Sequence, residues 1–239
     1  MDSLYIVIPA YNESENIRRT IEEWYPIVEK YHGDGKSRLV IINDGSKDDT
    51  YEIMKEMAKT RPLFVPLTKE NGGHGSTVLH GYRYAIVKKA DFIFQTDSDG
   101  QTNPKEFHAF WNLRNQYDAI LGKRMERGDG KSRKIVENTV CFLLNLYFGV
   151  KVEDANAPFR LMRTSLVNRY IRRMPKHYHL PNIMFTTFFS YYGENIKFME
   201  ITFKPRQGGK NTINGKRIAK IGWDALGEFH AFKQQMQKY

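Results

Sequence analysis

The chain has 239 residues, 41% of them apolar, with one cysteine and a formal net charge of +10. That is ample for a hydrophobic core in one large or two small domains. The lone Cys141 excludes an internal disulfide, argues against a thiolate metal cluster and fits a reducing compartment. The charge is uneven: residues 1–120 carry 15 Lys/Arg and 18 Asp/Glu, whereas residues 121–239 carry 22 and 9. The second half is therefore expected either to meet an anion (nucleic acid, an anionic lipid surface or a phosphorylated substrate) or to form a solvated basic face. The N-terminus MDSLYIVIPAYNE lacks the basic and apolar regions of a signal peptide. The most apolar run, TVCFLLNLYFGV at 139–150, is broken by Asn145 and too short to span a bilayer. A cytoplasmic chain, not integral to a membrane, is the expectation.

In chain order, LYIVIP (4–9) reads as a strand, and 14–30 as a helix with apolar residues at Ile17, Ile21, Trp24 and Val28, begun by Ser14 and Glu15. RLVIIN (38–43) is a second strand, and 47–60 a helix with acidic residues in its first turn, where the helix dipole favours them. LFVPLT (63–68) is a strand weakened by Pro66, and 72–89 a Gly-rich turn opening a helix. DFIFQT (91–96), a helix over 103–116 and DAILG (118–122) complete the alternation, with further helices over 135–150 and 216–238. This order predicts an α/β fold: a Rossmann-like, mostly parallel sheet flanked by helices. Right-handed crossovers bring the carboxyl ends of the strands to one edge, where ligands bind. No tandem repeat or linker divides the chain, so a single domain, 1–239, with an elaborated basic C-terminal portion is expected.

Three polar loops, YNE, NDGS and DSDGQ, follow strands directly. Asp97 and Asp99 repel each other unless a cation neutralises them, and a hard divalent ion, Mg²⁺ or Mn²⁺, takes such carboxylates together with substrate phosphates. Gln101 adds a neutral oxygen. The alternative is an ordinary turn or cap. Asp44 has the chemistry to accept a nucleobase N–H, or to form an Asp-Gly turn. Tyr11 can stack on a base or cover the sheet edge, and Glu13 can contact a base or cap a helix. In NGGHGS (71–76), backbone N–H groups at a helix start suit a phosphate. Neither G-x-x-x-x-G-K-[ST] nor G-x-G-x-x-G at the first turn is present, which disfavours P-loop and hydride-transfer chemistry.

Together VIPAYNESENI, VIINDGSKDDT, NGGHGSTVLHGYRYA, DFIFQTDSDGQTNP and GKR (122–124) resemble family 2 glycosyltransferases of the GT-A fold, over about residues 1–125. The resemblance implies a nucleotide-diphosphate sugar donor, with Pro9, Ala10, Tyr11, Glu13, Asp44, Gly73 and Ser98 lining its site. Asp97 and Asp99 would hold the metal and diphosphate, and 126–239 the acceptor. Within the family the chain is most similar to the polyprenyl-phosphate, dolichol-phosphate mannose synthase-like branch. By position this makes Gln101 a third oxygen ligand. It makes Arg124, Arg133, Arg160 (in VEDANAPFRLMR, 152–163) and Arg206 (in EITFKPRQGGKNTING, 200–215) the cations for the acceptor phosphate. Each is alternatively a surface cation or salt-bridge partner. Asn156-Ala157-Pro158 and Lys210-Asn211-Thr212 depart from the branch's Ser-Gly and Ser-Lys.

The resemblance implies inversion by direct displacement. In hydroxyl-using relatives an acidic pair begins a helix where this chain has HYHLPNIMFTTFF (177–189), without Asp or Glu. A phosphate acceptor is already ionised and needs no base, and Arg binds it bidentately. His177 and His179 are the alternative bases. The rival acceptor is a saccharide hydroxyl in cell-surface polysaccharide synthesis. A nucleotidyltransferase would need a basic Gly-rich loop after the first strand, and a nucleic-acid-binding module, suggested by charge alone, has no reading motif. A lipid acceptor implies a membrane surface, with a separate membrane-protein partner as a further expectation. The apolar faces of 135–150 and 218–236 either lie among headgroups or pack on the sheet.

Overall fold

The computed structural model describes residues 1–125 and 131–205 and single positions between 227 and 236; over 131–135 it describes the backbone alone. Strand β1 (Leu4–Ala10) is buried along its whole length. It runs parallel to β2 (Arg38–Asp44), which pairs in parallel with β3 (Phe64–Lys69). On its other side β1 pairs in parallel with β4 (Phe92–Gln95). Next to β4 lies β6 (Arg160–Arg163), antiparallel to it and to β5 (Ala119–Arg124), and β5 carries β7 (Ile196–Ile201) in parallel. The order is β3-β2-β1-β4-β6-β5-β7. Pro66, which has no N–H to give a second neighbour, sits in the edge strand β3, where none is required.

The strands are apolar on both faces because helices cover both. Tyr5, Val7, Val40 and Ile42 point into one core, beneath α3 (His74–Val87), α6 (Thr164–Ile171) and α7 (Pro181–Tyr191). Leu4, Ile6, Ile8 and Ile41 point into the other, beneath α1 (Ile17–Lys30), α2 (Thr50–Ala58) and α4 (Phe107–Leu113). The expected face of α1 is the buried one, with Ile17, Ile21, Trp24 and Val28 inside, but the helix starts after Asn16 rather than at Ser14.

α2 and α4 are likewise shorter than the expected 47–60 and 103–116, and the elements not expected at all lie in the second half. β6, α6 and α7 were not expected, and β7 ends at Ile201, the second residue of EITFKPR. α5 (Lys131–Phe148) buries Leu144 and Phe148 but leaves Phe142 66% and Leu146 64% exposed. The C-terminal apolar face behaves oppositely: Phe229, Phe232 and Met236 are buried. Phe229 lies edge-on to Phe148 (5.6 Å between centroids) and Phe232 edge-on to Tyr178 (5.3 Å). Of the two readings for that segment, packing on the body of the protein holds at these three positions, because their side chains join the core that contains α7.

Candidate active site

The strand order reverses between β1 and β4, and such a switch point opens a crevice at the carboxyl edge of the sheet. Pro9 and Ala10 end β1 and are buried as strand residues; Tyr11, the next residue, is 42% exposed. The YNE and NDGS loops are tied together: the Asn12 N–H donates to Ser46 Oγ (2.9 Å) and Asn12 Oδ1 accepts from the Lys47 N–H (2.8 Å). Glu13 turns inward. Its carboxylate accepts from Asn16 Nδ2 (2.8 Å), and its carbonyl from the Asn16 and Ile17 N–H groups, so it organises the start of α1.

Asp44 is also committed internally. Its oxygens accept from the Gly72 N–H (2.9 Å), the Gly73 N–H (2.8 Å) and the Lys69 ammonium, which also donates to the Glu70 carbonyl. Burial raises its carboxyl pKa, but the Lys69 and Gly72 bonds outweigh burial and hold it below the usual carboxylate value. Two of the N–H groups that the sequence offered to a ligand phosphate, those of Gly72 and Gly73, are therefore taken by this carboxylate, an anion supplied by the chain itself. Gly73 permits the turn, with φ of +85°. Gly75 permits a close approach: a Cβ there would stand 2.4 Å from the carbonyl oxygens of both Tyr178 and His179. The segment before α7 thus rests on the first turn of α3, with Ser76 Oγ 3.3 Å from His177 Nδ1.

Asp97 and Asp99 follow β4 at the switch point, and both are partly exposed. Asp97 Oδ1 accepts from Gln95 Nε2 (3.3 Å) and lies 3.8 Å from His74 Nε2. Asp99 Oδ1 accepts from the Gln101 N–H (3.2 Å), and Ser98 is buried between the two carboxylates. Gln101 is buried and makes a two-bond bridge: its Nε2 donates to the Lys204 carbonyl, and its own carbonyl accepts from the Lys204 N–H, each at 2.8 Å. The bridge plants the beginning of the basic segment after β7 beside the twin aspartates.

The arginines differ from expectation. Arg160 is 0% exposed; it donates to the carbonyls of Ala155, Ala157 and Asn182 and to Thr186 Oγ1, and so is not presented to an acceptor. Arg124 forms a bidentate pair with the fully buried Asp154, both bonds 2.7 Å, with Glu137 at 3.7 Å. Burial raises the Asp154 carboxyl, and the Arg124 guanidinium more than offsets it, so the pair stays ionised. The salt-bridge reading matches Arg124, whose Nε and Nη2 are given to Asp154, and full burial with every guanidinium nitrogen bonded internally replaces the ligand-gripping reading for Arg160. The Arg133 side chain and Arg206 lie outside the described residues.

Residues 5–174 match the family model "Glycosyl transferase family 2". The chain belongs to that family. Among curated relatives it is 28% identical to the prophage bactoprenol glucosyl transferase homolog of Escherichia coli K12, over 98% of this chain and 74% of the relative. It is 27% identical to the undecaprenyl-phosphate 4-deoxy-4-formamido-L-arabinose transferase of Pectobacterium atrosepticum, over 92% of this chain and 65% of the relative. Among solved structures, glucosyl-3-phosphoglycerate synthase of Mycobacterium tuberculosis in complex with Mn²⁺ and uridine-diphosphate-glucose superposes with a TM-score of 0.62 at 18% identity, over 98% and 76% of the two chains. S. aureus TarS 1–349 in complex with UDP-GlcNAc gives 0.60 at 18%, over 87% and 60%. These likenesses establish the GT-A fold.

For a family 2 glycosyl transferase, the donor chemistry at the switch point fits a hard divalent ion. Among the described residues no group of three His, Cys, Asp or Glu could hold a metal. Asp97 and Asp99 are oxygen donors of the kind that hard divalent ions take together with phosphate and water. Sequence reasoning missed Lys69, Tyr82, Gln95 and Asp154. Lys69 and Asp154 carry no pattern of their own, but Gln95, a polar residue closing the apolar run FIF, was a signal.

Proposed function

We propose that this protein transfers a sugar, with inversion, from a nucleotide-diphosphate sugar to a polyprenyl phosphate at the cytoplasmic face of a membrane. The observation that carries this reading is the partly exposed Asp97/Asp99 edge together with the Gln101–Lys204 bridge, which holds the Lys204 backbone against the loop of the two aspartates. Asp97 and Asp99 would hold Mg²⁺ or Mn²⁺, with Gln101 anchoring their loop; the ion supplies charge neutralisation for the departing diphosphate. Tyr11, on the rim, offers its ring to the base. Pro9, Ala10 and Gly73 shape the floor and Ser98 the turn, while Asp44 holds the loop that closes over the nucleoside. The acceptor phosphate would be met by the cations beyond Lys204, Arg206 among them, and by Arg133.

No Asp or Glu lies in 177–189, so an acceptor already ionised suits the site better than a hydroxyl that must lose a proton. The names of the two curated relatives support the same acceptor class. No helix among the described residues is long and apolar enough to cross a membrane. The exposed Phe142 and Leu146 of α5, in the strongly basic half, suit contact with an anionic lipid surface, and a separate membrane protein would complete the assembly.

The test is transfer from radiolabelled UDP- and GDP-sugars to undecaprenyl phosphate with Mn²⁺, after a thermal-shift panel of UDP, GDP, dTDP and CDP selects the nucleotide. Label entering the organic phase, and its loss in Asp97→Ala/Asp99→Ala, is the expected result. Label appearing only in soluble oligosaccharide would transfer the assignment to the saccharide-hydroxyl reading.

A further inference from the structure

Beneath Asp97 lies a polar chain that no part of the transfer chemistry requires. Tyr82, in the middle of α3, and Gln95, the last residue of β4, are both 0% exposed. Tyr82 Oη lies 3.3 Å from Gln95 Oε1, and Gln95 Nε2 lies 3.3 Å from Asp97 Oδ1. Arg160 is the cross-strand partner of Gln95 in the β4–β6 ladder and is likewise wholly buried. Its hydrogen-bond partners are neutral oxygens, so its charge is balanced only through space, with Asp97 and Asp154 among the groups that feel it.

The direction of this chain follows from donor and acceptor inventory. An ionised carboxylate only accepts, so the Gln95 amide must turn its NH₂ toward Asp97. That leaves Oε1 facing Tyr82, and the tyrosine must donate. Burial, the largest influence on Tyr82, pushes its phenol well above the usual value, so the donor keeps its proton. The Tyr82 ring is held in turn by Phe185 of α7, edge-on at 5.6 Å. Each group thus has one orientation, and the last of them is a carboxylate at the reaction edge.

We propose that Tyr82 and Gln95 are positioning residues that fix the Asp97 carboxylate for a divalent cation. This rests on the reading of Asp97 as a metal-holding residue. A carboxylate left free to rotate must be ordered by the ion at each binding event, and loss of such supporting bonds weakens metal sites by about 10- to 100-fold. Two long bonds at 3.3 Å suggest the lower end, about tenfold.

The experiment is a Mn²⁺ titration of the full chain, read by loss of the free-ion electron paramagnetic resonance signal with UDP or GDP present, whichever the thermal-shift panel selects. Tyr82→Phe removes one oxygen and keeps the contact with Phe185; Gln95→Met keeps length and removes the amide. Each is expected to raise the Mn²⁺ Kd about tenfold. The double variant should be no worse than either single one, since both break the same chain. Melting temperatures measured without metal separate this effect from lost stability. If Asp97→Asn leaves Mn²⁺ binding unchanged, the metal-site reading itself fails. If Asp97→Asn abolishes binding while Tyr82→Phe binds Mn²⁺ like the parent, or the two single effects add, the positioning proposal is overturned and the metal site stands. Should Gln95→Met fold poorly, the Tyr82→Phe titration decides alone.

Discussion

Gly75 joins the donor half of the site to the segment before α7, and a single methyl group tests that junction. A Cβ at residue 75 would meet two carbonyl oxygens at 2.4 Å and the His179 carbonyl carbon at 2.6 Å. All three are backbone atoms, so no rotamer change relieves the overlap. Normal carbon contacts need about 3.5 Å, so segment and helix would have to separate by about 1 Å. Overpacking of this kind costs about 1–3 kcal/mol, and the immobile neighbours argue for the upper end. Alanine gains about 1 kcal/mol over glycine within a helix. Gly75→Ala should therefore lose about 2 kcal/mol, and its melting temperature should fall by about 4–8 °C for a chain of this size. Differential scanning calorimetry measures the shift, and tryptic cleavage after the exposed Lys176 should accelerate as the segment lifts. Ser76→Ala, which removes only the 3.3 Å contact with His177, should stay close to the parent. A Gly75→Ala protein that melts at or above the parent temperature would refute the reasoning, because only a segment not packed on α3 could accept that methyl group.

Three further outcomes are expected. Asp154→Asn leaves the buried Arg124 without its counter-ion and should lose about 3–5 kcal/mol, on the order of 10 °C in melting temperature. Since the folded-state pKa values of Asp154 and Asp44 are depressed, both groups stabilise the fold above their unfolded carboxylate values, and that stability disappears as pH falls through the folded ones. Urea melts between pH 7 and pH 3 should show the parent losing more stability than Asp154→Asn; equal losses would refute the linkage. Phe142→Ser/Leu146→Ser should melt like the parent, because both side chains are exposed, yet float less with anionic liposomes; unchanged flotation would remove α5 from the membrane-facing surface.

The first half of the fold was legible because each of its strands is short, apolar and bounded by turn residues, and each helix between them shows its period. Strands β1 to β5 fall within a residue or two of their expected bounds. α7 was invisible for a physical reason: PNIMFTTFF is buried on every side, so no polar face marks a helical repeat. β6 is only four residues long with an arginine at each end, and the first of them, Arg160, was read as a ligand cation rather than as a strand residue. Asp97 and Asp99 could be located from spacing alone, since a carboxylate pair after a buried strand lands at the ligand edge. The commitments of Asp44, Arg124 and Arg160 could not, because their partners are 25 to 30 residues away along the chain, or are backbone carbonyls with no signature in sequence.

The reversed strand has an architectural consequence. Since β6 runs against its neighbours, Arg160 stands level with the end of β4, and Arg163 level with its beginning. The polypeptide preceding residue 160 consequently arrives from the reactive rim, whereas the polypeptide following residue 163 departs from the opposite rim. Loops lengthened between 149 and 159 would be delivered straight onto bound substrate, and loops lengthened just after 163 would never reach it. One short stretch can thus be lengthened to reshape the carboxyl rim while the parallel strands β1 to β4 stay untouched.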